Sequence, residues 1–239
     1  NLRLLSSMEE KKEMLFSLGV DKVEVLPFTR SFSSLSTEDY LREYVIGRFG
    51  ADAIVLGYDN RMGSDAKDAA SVKTVAEKLG LDVYMTDKKT SLSGIDVSST
   101  KIRKLLETGD VTKANELLGY EYSLFGVVVS GDRIGKRVLG FPTANMQLYE
   151  PLKLVPAGGV YYVKVRTLGG DFYGMCNIGT RPTVGACNAM TIETNIFGFD
   201  EDIYGLDIRV TFLKRIREEM RFRSFTQLKA QLERDKLYC

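Results

Sequence analysis

Histidine and tryptophan are missing from this sequence altogether. Without an imidazole the chain can form no Ser-His-Asp triad, no histidine metal site and no histidine general base. Acid–base work falls instead to a carboxylate, a lysine, a tyrosine or a cysteine. Cysteine is scarce. Cys176, Cys187 and Cys239 show no C-x-x-C spacing, which argues against a zinc site or disulfide framework and for a reducing, cytoplasmic setting. Long apolar runs are lacking as well: the longest are about six residues, against the roughly 20 that span a bilayer. No membrane helix is expected, and the opening Asn1-Leu-Arg-Leu-Leu stretch does not read as a signal peptide. There is no excess of either charge. The 33 Lys and Arg residues face 32 Asp and Glu, for a net charge of +1, which argues against a nucleic-acid partner.

What remains is an ordinary globular composition, 44% hydrophobic and 27% charged over 239 residues, long enough for two modest domains or one large one. The first half alternates helix and strand signals. Ser7-x-x-Glu10 reads as a capping box, with Met14, Leu15 and Leu18 forming an apolar face before Gly19. A strand is expected over Val23–Phe28. A helix starts at Ser36-x-x-Asp39, and a doubly buried parallel strand runs over Ala53–Leu56. A helix over about Ala69–Leu79, a strand over Leu81–Met85 and helices over Ser99–Glu107 and Val111–Leu118 follow. This order predicts a parallel sheet with crossover helices. Beyond residue 120 the pattern becomes short strands: Phe125–Ser130, Val160–Thr167, Phe172–Ile178, Thr191–Phe197 and Ile208–Leu213. A hairpin turn is expected at Leu168–Asp171, and a capped helix from Ser224 to about Asp235. That half reads as a small antiparallel barrel, with the domain boundary near Gly119–Ser123.

The most informative stretch is Gly131-Asp-Arg-Ile-Gly-Lys-Arg-Val-Leu-Gly-Phe-Pro-Thr-Ala-Asn145. It is not a Walker A loop, because the spacing is shorter and Arg137 follows Lys136. It still holds what phosphate binding needs. Gly131, Gly135 and Gly140 allow close backbone approach, Lys136 and Arg137 bring positive charge, and Thr143 offers a hydroxyl to a hard cation. By spacing alone it reads more readily as a glycine-rich barrel loop with solvated charges. Ser98-Ser99-Thr100 reads as an ordinary N-cap, and Glu193 as an exposed strand carboxylate.

The segment Gly140-Phe-Pro-Thr-Ala-Asn145 resembles the G-x-P-T-A-N motif of riboflavin kinases. The resemblance continues through Pro156–Tyr161, Asn177–Thr183, Glu193, Asp202–Gly205 and Phe212–Phe222, the last similar to an "FLxxIRxExxF" run. The first half resembles the adenylyltransferase part of bifunctional bacterial riboflavin kinase/FAD synthetases. There Gly57–Gly63 is similar to "GxDxxFG" and Val97–Arg103 to "ISSTxIR". The implied fold is a Rossmann-like nucleotidyltransferase α/β domain over residues 1–120. A riboflavin-kinase β-barrel with a C-terminal helix follows over 121–239.

The resemblance also implies the chemistry. The barrel would move the γ-phosphoryl of ATP to riboflavin, giving FMN, with Mg²⁺ as cofactor. Glu193 is the implied base. Thr143 and Asn145 are the implied Mg²⁺ and phosphate ligands, and Gly131, Gly135 and Lys136 line the nucleotide loop. Arg217 and Phe222 border the flavin, although helix-end charge and core packing explain them nearly as well. The first half would transfer AMP from ATP to FMN, giving FAD, through Asp59, Ser98, Ser99, Thr100 and Arg103. Two departures stand out. The family's opening strand and H-x-G-H motif have no counterpart in these residues, and Asn195 stands where the family often has His. The expectation is therefore kinase activity with little adenylyltransferase activity from these 239 residues; detectable FAD from FMN and ATP would contradict it. A non-catalytic flavin-binding module and an oligonucleotide-binding barrel fused to an α/β domain are the alternatives.

Overall fold

The computed structural model of the chain describes residues 3–88, 90, 94, 96–130, 141–181 and 189–239. It divides into two compact units, Leu15–Asp96 and the pairing of Asn1–Met14 with Val97–Cys239. Helix α1 (Met8–Ser17) starts from the expected capping box. The Ser7 N–H donates to Glu10 Oε2 at 2.7 Å, and the Glu10 N–H donates back to Ser7 Oγ at 3.1 Å.

The Leu15–Asp96 unit contains α2 (Arg30–Ser33), α3 (Thr37–Tyr40) running into a π-helical stretch over Leu41–Arg48, and strand β1 (Ala53–Gly57). A hairpin of β2 (Arg61–Met62) and β3 (Lys67–Asp68), helix α4 (Ala69–Lys78) and strand β4 (Asp82–Thr86) complete it. Ser36 caps α3 as expected, accepting from the Asp39 N–H. β1 and β4 pair in parallel across the α4 crossover. Two expectations fail. Residues 23–28 form no strand: Pro27 removes a ladder donor, and Val25 and Phe28 stay 49% and 79% exposed. β1 is covered on one face only, with Leu56 buried and Val55 68% exposed. Ile54, on the same face of β1 as Leu56, packs against the small core of Leu41, Val45, Ala76 and Leu81.

The other unit adds α5 (Ser99–Thr108) and α6 (Val111–Leu118). Six strands then follow: β5 (Ser123–Val129), β6 (Ala144–Leu148), β7 (Gly159–Thr167), β8 (Gly170–Arg181), β9 (Ala189–Ile196) and β10 (Asp207–Arg217). Helix α7 (Phe225–Leu237) ends the chain, capped by Ser224. The strands close into an antiparallel barrel in the order β10-β5-β6-β9-β8-β7. β6 is absent from the expected strands, because Ala-Asn-Met-Gln-Leu has no β-branched or aromatic residue; barrel closure, not propensity, extends it.

Side chains alternate inward and outward along each strand. Leu124, Val128, Tyr161, Val163, Val165, Cys176, Ile178, Ile192, Ile208, Val210 and Phe212 fill the barrel together with Ile102, Leu106, Val111 and Ala114 of the two helices. The helices are also stitched on by polar contacts. Asn115 Nδ2 donates to the Phe212 carbonyl at 2.8 Å, and its Oδ1 accepts from the Tyr122 N–H at 2.8 Å. Gly109, left-handed at φ 82°, ends α5, and a Cβ there would lie 2.9 Å from the Arg215 guanidinium.

Lys153, 5% exposed, anchors the N-terminal segment. Its ammonium reaches Glu10 Oε2 at 2.5 Å and the Leu5 carbonyl at 2.8 Å, and stands 4.5 Å from the centre of the Tyr122 ring. Burial lowers the Lys153 pKa, and the Glu10 charge opposes that shift.

Tyr122 and Tyr161 are fully buried and donate to the Leu154 and Ala157 carbonyls. Burial raises both phenol pKa values, that of Tyr161 to about 12. A phenol that holds its proton longer when folded stabilises the fold up to the ordinary value near 10 and loses that contribution as pH climbs through the folded value. Stability is therefore expected to fall steeply between pH 10 and 12. Urea melts across that range, with tyrosinate absorbance followed in parallel, check it; Tyr161→Phe should shallow the pH slope.

Candidate active site

Register places the site. Asn145 of β6 pairs with Glu193 of β9, and Glu193 pairs with Asn177 of β8 on its other side. Asn145 also pairs with Val129, Asn177 with Val160, and Val160 with Arg217 beyond a bulge in β10. Directly paired residues share a sheet face, so Asn145, Glu193, Asn177 and Arg217 stand in one row on the outer wall of the barrel. Ile192, Thr194 and Ile196 are buried on the inner side, as the alternation requires. Thr191, Glu193 and Asn195, alternate residues of β9, thus share the other face. At 4.7–4.9 Å per strand, Arg217 lies roughly 14 Å along the wall from Glu193.

The inner side opens into a cleft of about 530 Å³ lined by Val128, Pro142, Thr143, Thr194, Asp202 and Tyr204, among others. The Thr194 hydroxyl, fully buried, has no hydrogen-bond partner among the described residues. Its near neighbour is the Cys176 thiol, at best a weak hydrogen-bond partner, so a ligand atom that bonds the hydroxyl improves on it. Cys176 pairs with Thr194 on the inner wall, and burial pushes its thiol pKa up to about 12, which leaves it inert.

Pro142 and Thr143 connect the two sides. They wall the cleft, and Asn145, two residues on, faces Glu193. Asn195 Nδ2 donates to the Pro142 carbonyl at 2.7 Å. The Thr143 hydroxyl and the Asn145 amide oxygen are hard, neutral donors suited to Mg²⁺. Among the described residues no group of three or more His, Cys, Asp or Glu side chains could hold a metal alone. A donor pair of this kind fits an ion that takes its remaining ligands from substrate phosphates and water.

The remaining sequence candidates are dispersed. Gly131, Gly135 and Lys136 lie outside the described residues. Ser98 is the N-cap of α5, and its Oγ accepts from the Lys101 N–H. Ser99 and Thr100 are exposed in the first turn. Arg103 Nε donates to the Arg3 carbonyl at 2.8 Å. Asp59 is exposed just past the C-terminal end of β1, in the other unit. Arg217 is engaged by α7: its Nε and a terminal nitrogen meet the Asp235 carboxylate at 2.8–3.0 Å, with the Phe222 ring 5.7 Å away. Asp235, 1% exposed, also accepts from Gln231 at 2.7 Å.

Two residues of the site escaped the sequence reading: Asn177 and Glu219. A Cβ on Gly179 would lie 2.5 Å from Glu219 Oε1 and 3.3 Å from Asn177 Nδ2, so the Glu219 carboxylate fills the side-chain space that Gly179 leaves beside the row. Asn177 and Glu219 belong to motifs already visible in the sequence; only the register shows that they converge.

Comparison with known proteins gives a consistent picture. Residues 118–239 match the family model of riboflavin kinase and residues 1–101 that of FAD synthetase. The bifunctional riboflavin kinase/FMN adenylyltransferase of Bacillus subtilis (strain 168) is 36% identical over 98% of this chain and 73% of its own length. That of Escherichia coli (strain K12) is 34% identical over 98% and 74%. A crystal structure described as a macrolide-efflux protein from Streptococcus pneumoniae superposes with a TM-score of 0.88, at 33% identity over 98% of this chain and 74% of that one. Its description differs in kind from the enzyme names, and among the described residues here no helix is long and apolar enough to cross a membrane.

The Arg217–Asp235 pair makes a direct prediction. Removing the cation leaves a buried carboxylate uncompensated, which costs about 3–5 kcal/mol. Arg217→Ala should lose that much in urea melts, and hydrogen exchange should show α7 released from the barrel first.

Proposed function

The chain belongs to the family of bifunctional riboflavin kinases/FMN adenylyltransferases, and on that premise we propose that its barrel transfers the γ-phosphoryl of ATP to the ribityl 5′-hydroxyl of riboflavin, giving FMN and ADP. The observation that carries this reading is the Asn145–Glu193–Asn177 row standing beside a cleft that shares the Pro142–Asn145 edge.

Phosphoryl transfer asks a protein for position, charge neutralisation and a proton acceptor. In this reading the nucleotide lies in the cleft, with the Thr194 hydroxyl available to it and its phosphates leading out over Thr143. Mg²⁺ held by the Thr143 hydroxyl and Asn145 amide oxygen would neutralise charge on the transferring phosphoryl. Glu193 takes the proton of the riboflavin hydroxyl as its oxygen bonds to phosphorus and the bond from phosphorus to the β-phosphate oxygen breaks. The Asn145 and Asn177 amides flank Glu193 and hold the acceptor in line. Arg217 and Phe222 border the flavin from the far end of the row, with Arg217 also tying down α7. Gly131, Gly135 and Lys136 would line the nucleotide loop, as the family resemblance implies.

The first half, taken as residues 1–120, would transfer AMP from ATP to FMN, giving FAD and pyrophosphate, when joined to the family's H-x-G-H unit. Ser98, Ser99 and Thr100 open the ten-residue helix α5, whose first-turn N–H groups and dipole favour phosphate. The Ser98 Oγ that accepts from Lys101 keeps its own proton to donate. Arg103 supplies charge, and Asp59 sits past the C-terminal end of a parallel strand, where ligands of such sheets bind. The partners are thus riboflavin, FMN and ATP. A cytoplasmic setting is supported by two free thiols, Cys176 and Cys239, among the described residues.

Glu193→Gln keeps the shape and removes the base. Its kcat for ATP-dependent riboflavin phosphorylation should fall roughly 10²- to 10⁴-fold with little change in KM. Chromatographic separation of FMN from riboflavin measures it, and an unchanged rate would favour a binding module over a kinase.

A further inference from the structure

The β6–β9 ladder has two rungs, Ala144↔Thr194 and Asn145↔Glu193. Continued in the same register, Thr143 would face Asn195 and Pro142 would face Ile196. The ladder stops there, and Pro142 has no N–H with which to extend it. β9 itself does not stop: Met175↔Asn195 and Gly174↔Ile196 pair it with β8. The Asn195 backbone is therefore a fixed platform beside an edge that the main chain has ceased to hold.

The Asn195 side chain takes over at that point. Its Nδ2 donates to the Pro142 carbonyl at 2.7 Å. The partner is a carbonyl oxygen, so only the nitrogen end of the amide can face it. Asn195 is 9% exposed, so the donor side of this bond is shielded from water. Thr143 is consequently held from both sides: by the rung at Ala144 and by the side-chain bond at Pro142.

We propose that Asn195 is a positioning residue of the kinase site, a side-chain rung that holds the Pro142–Asn145 edge so that the Thr143 hydroxyl and Asn145 amide present their oxygens to Mg²⁺ and the nucleotide phosphates. The proposal rests on the kinase reading for its ligand. It predicts a defect confined to the metal-nucleotide side of the reaction. Riboflavin meets the outer row, which keeps its own ladder.

The test uses the full chain and three variants. Asn195→Ala removes the donor, Asn195→Asp keeps the shape but, ionised, cannot donate, and Asn195→His restores an N–H. Calorimetric titration with ADP is done with and without Mg²⁺, alongside the Mg²⁺ concentration that half-saturates kcat and the KM for riboflavin. The Ala and Asp variants should bind ADP with Mg²⁺ about tenfold more weakly, the equivalent of one net hydrogen bond. Half-saturating Mg²⁺ should rise in parallel, riboflavin KM should stay within about twofold, and His should recover most of the loss. Wild-type affinity for ADP with Mg²⁺ in Asn195→Ala overturns the proposal, as does an Asp variant equal to the His variant. If Asn195→Ala does not fold, the Asp and His pair decides. A wild-type protein that binds ADP with Mg²⁺ but forms no FMN would sink the kinase reading and leave the side-chain rung standing.

Discussion

Barrel closure rests on the two backbone rungs that join β6 to β9. Every other seam is longer; β7 and β8 share nine rungs, from Gly159↔Ile178 to Thr167↔Gly170. A short seam in a closed sheet is a constraint as much as a weakness. A one-residue slip would turn Glu193 inward and Thr194 outward. That would place a carboxylate among Ile178, Val128 and Met146, where an unpaired charge is far too costly to bury. The register that places Asn145 beside Glu193 is thus enforced by the apolar core behind it. The chemistry of the outer row and the packing of the inner wall are one restraint seen from two faces.

Buried charge does the remaining fastening. Lys153 reaches Glu10 across 143 residues of sequence and holds the N-terminal segment against the barrel. Arg217 does the same for α7 through Asp235. Pairs of this kind contribute little net stability compared with apolar replacements, but losing one partner is expensive. They define where a segment docks more than how strongly. α7 illustrates this, since most of its residues are exposed and Asp235 is its one fully buried side chain. The helix is located by an ion pair instead of by an apolar stripe.

The barrel strands were legible because alternation and turn chemistry are local. The β7–β8 hairpin and the helix caps at Ser7, Ser36 and Ser224 were legible for the same reason. β6 was not, since Ala144–Leu148 carries no intrinsic preference for extension and is recruited by the neighbours it must join. The strand expected at Val23–Phe28 failed in the opposite sense. Its valines favour a sheet, but propensity cannot supply a ladder partner. Within the site, Glu193, Thr143 and Asn145 could be found from motif resemblance alone. Asn177 and Glu219 could not, because what singles them out is the register of the strands and the glycine at 179, both of them non-local. Arg217 stands in the same row as Glu193, and its engagement with Asp235 gives the packing explanation physical content.

The alternation of a single strand also orders the proposed reaction. Successive residues of β9 serve opposite sides: Thr194 lines the cleft, and Glu193 stands on the outer wall. A nucleotide and a hydroxyl acceptor that occupied the same side would compete for space and let water reach the phosphoryl group. Placed on opposite sides of one strand, they can meet only over the rim, at Pro142–Asn145. In that reading the transferring group crosses the Pro142–Asn145 edge, and the placement of that edge decides whether phosphorus and oxygen come into line. In-line transfer gains most from such placement, since positioning and charge neutralisation carry nearly all of its catalysis. The barrel accordingly concentrates its precision at the one place where its backbone ladder ends.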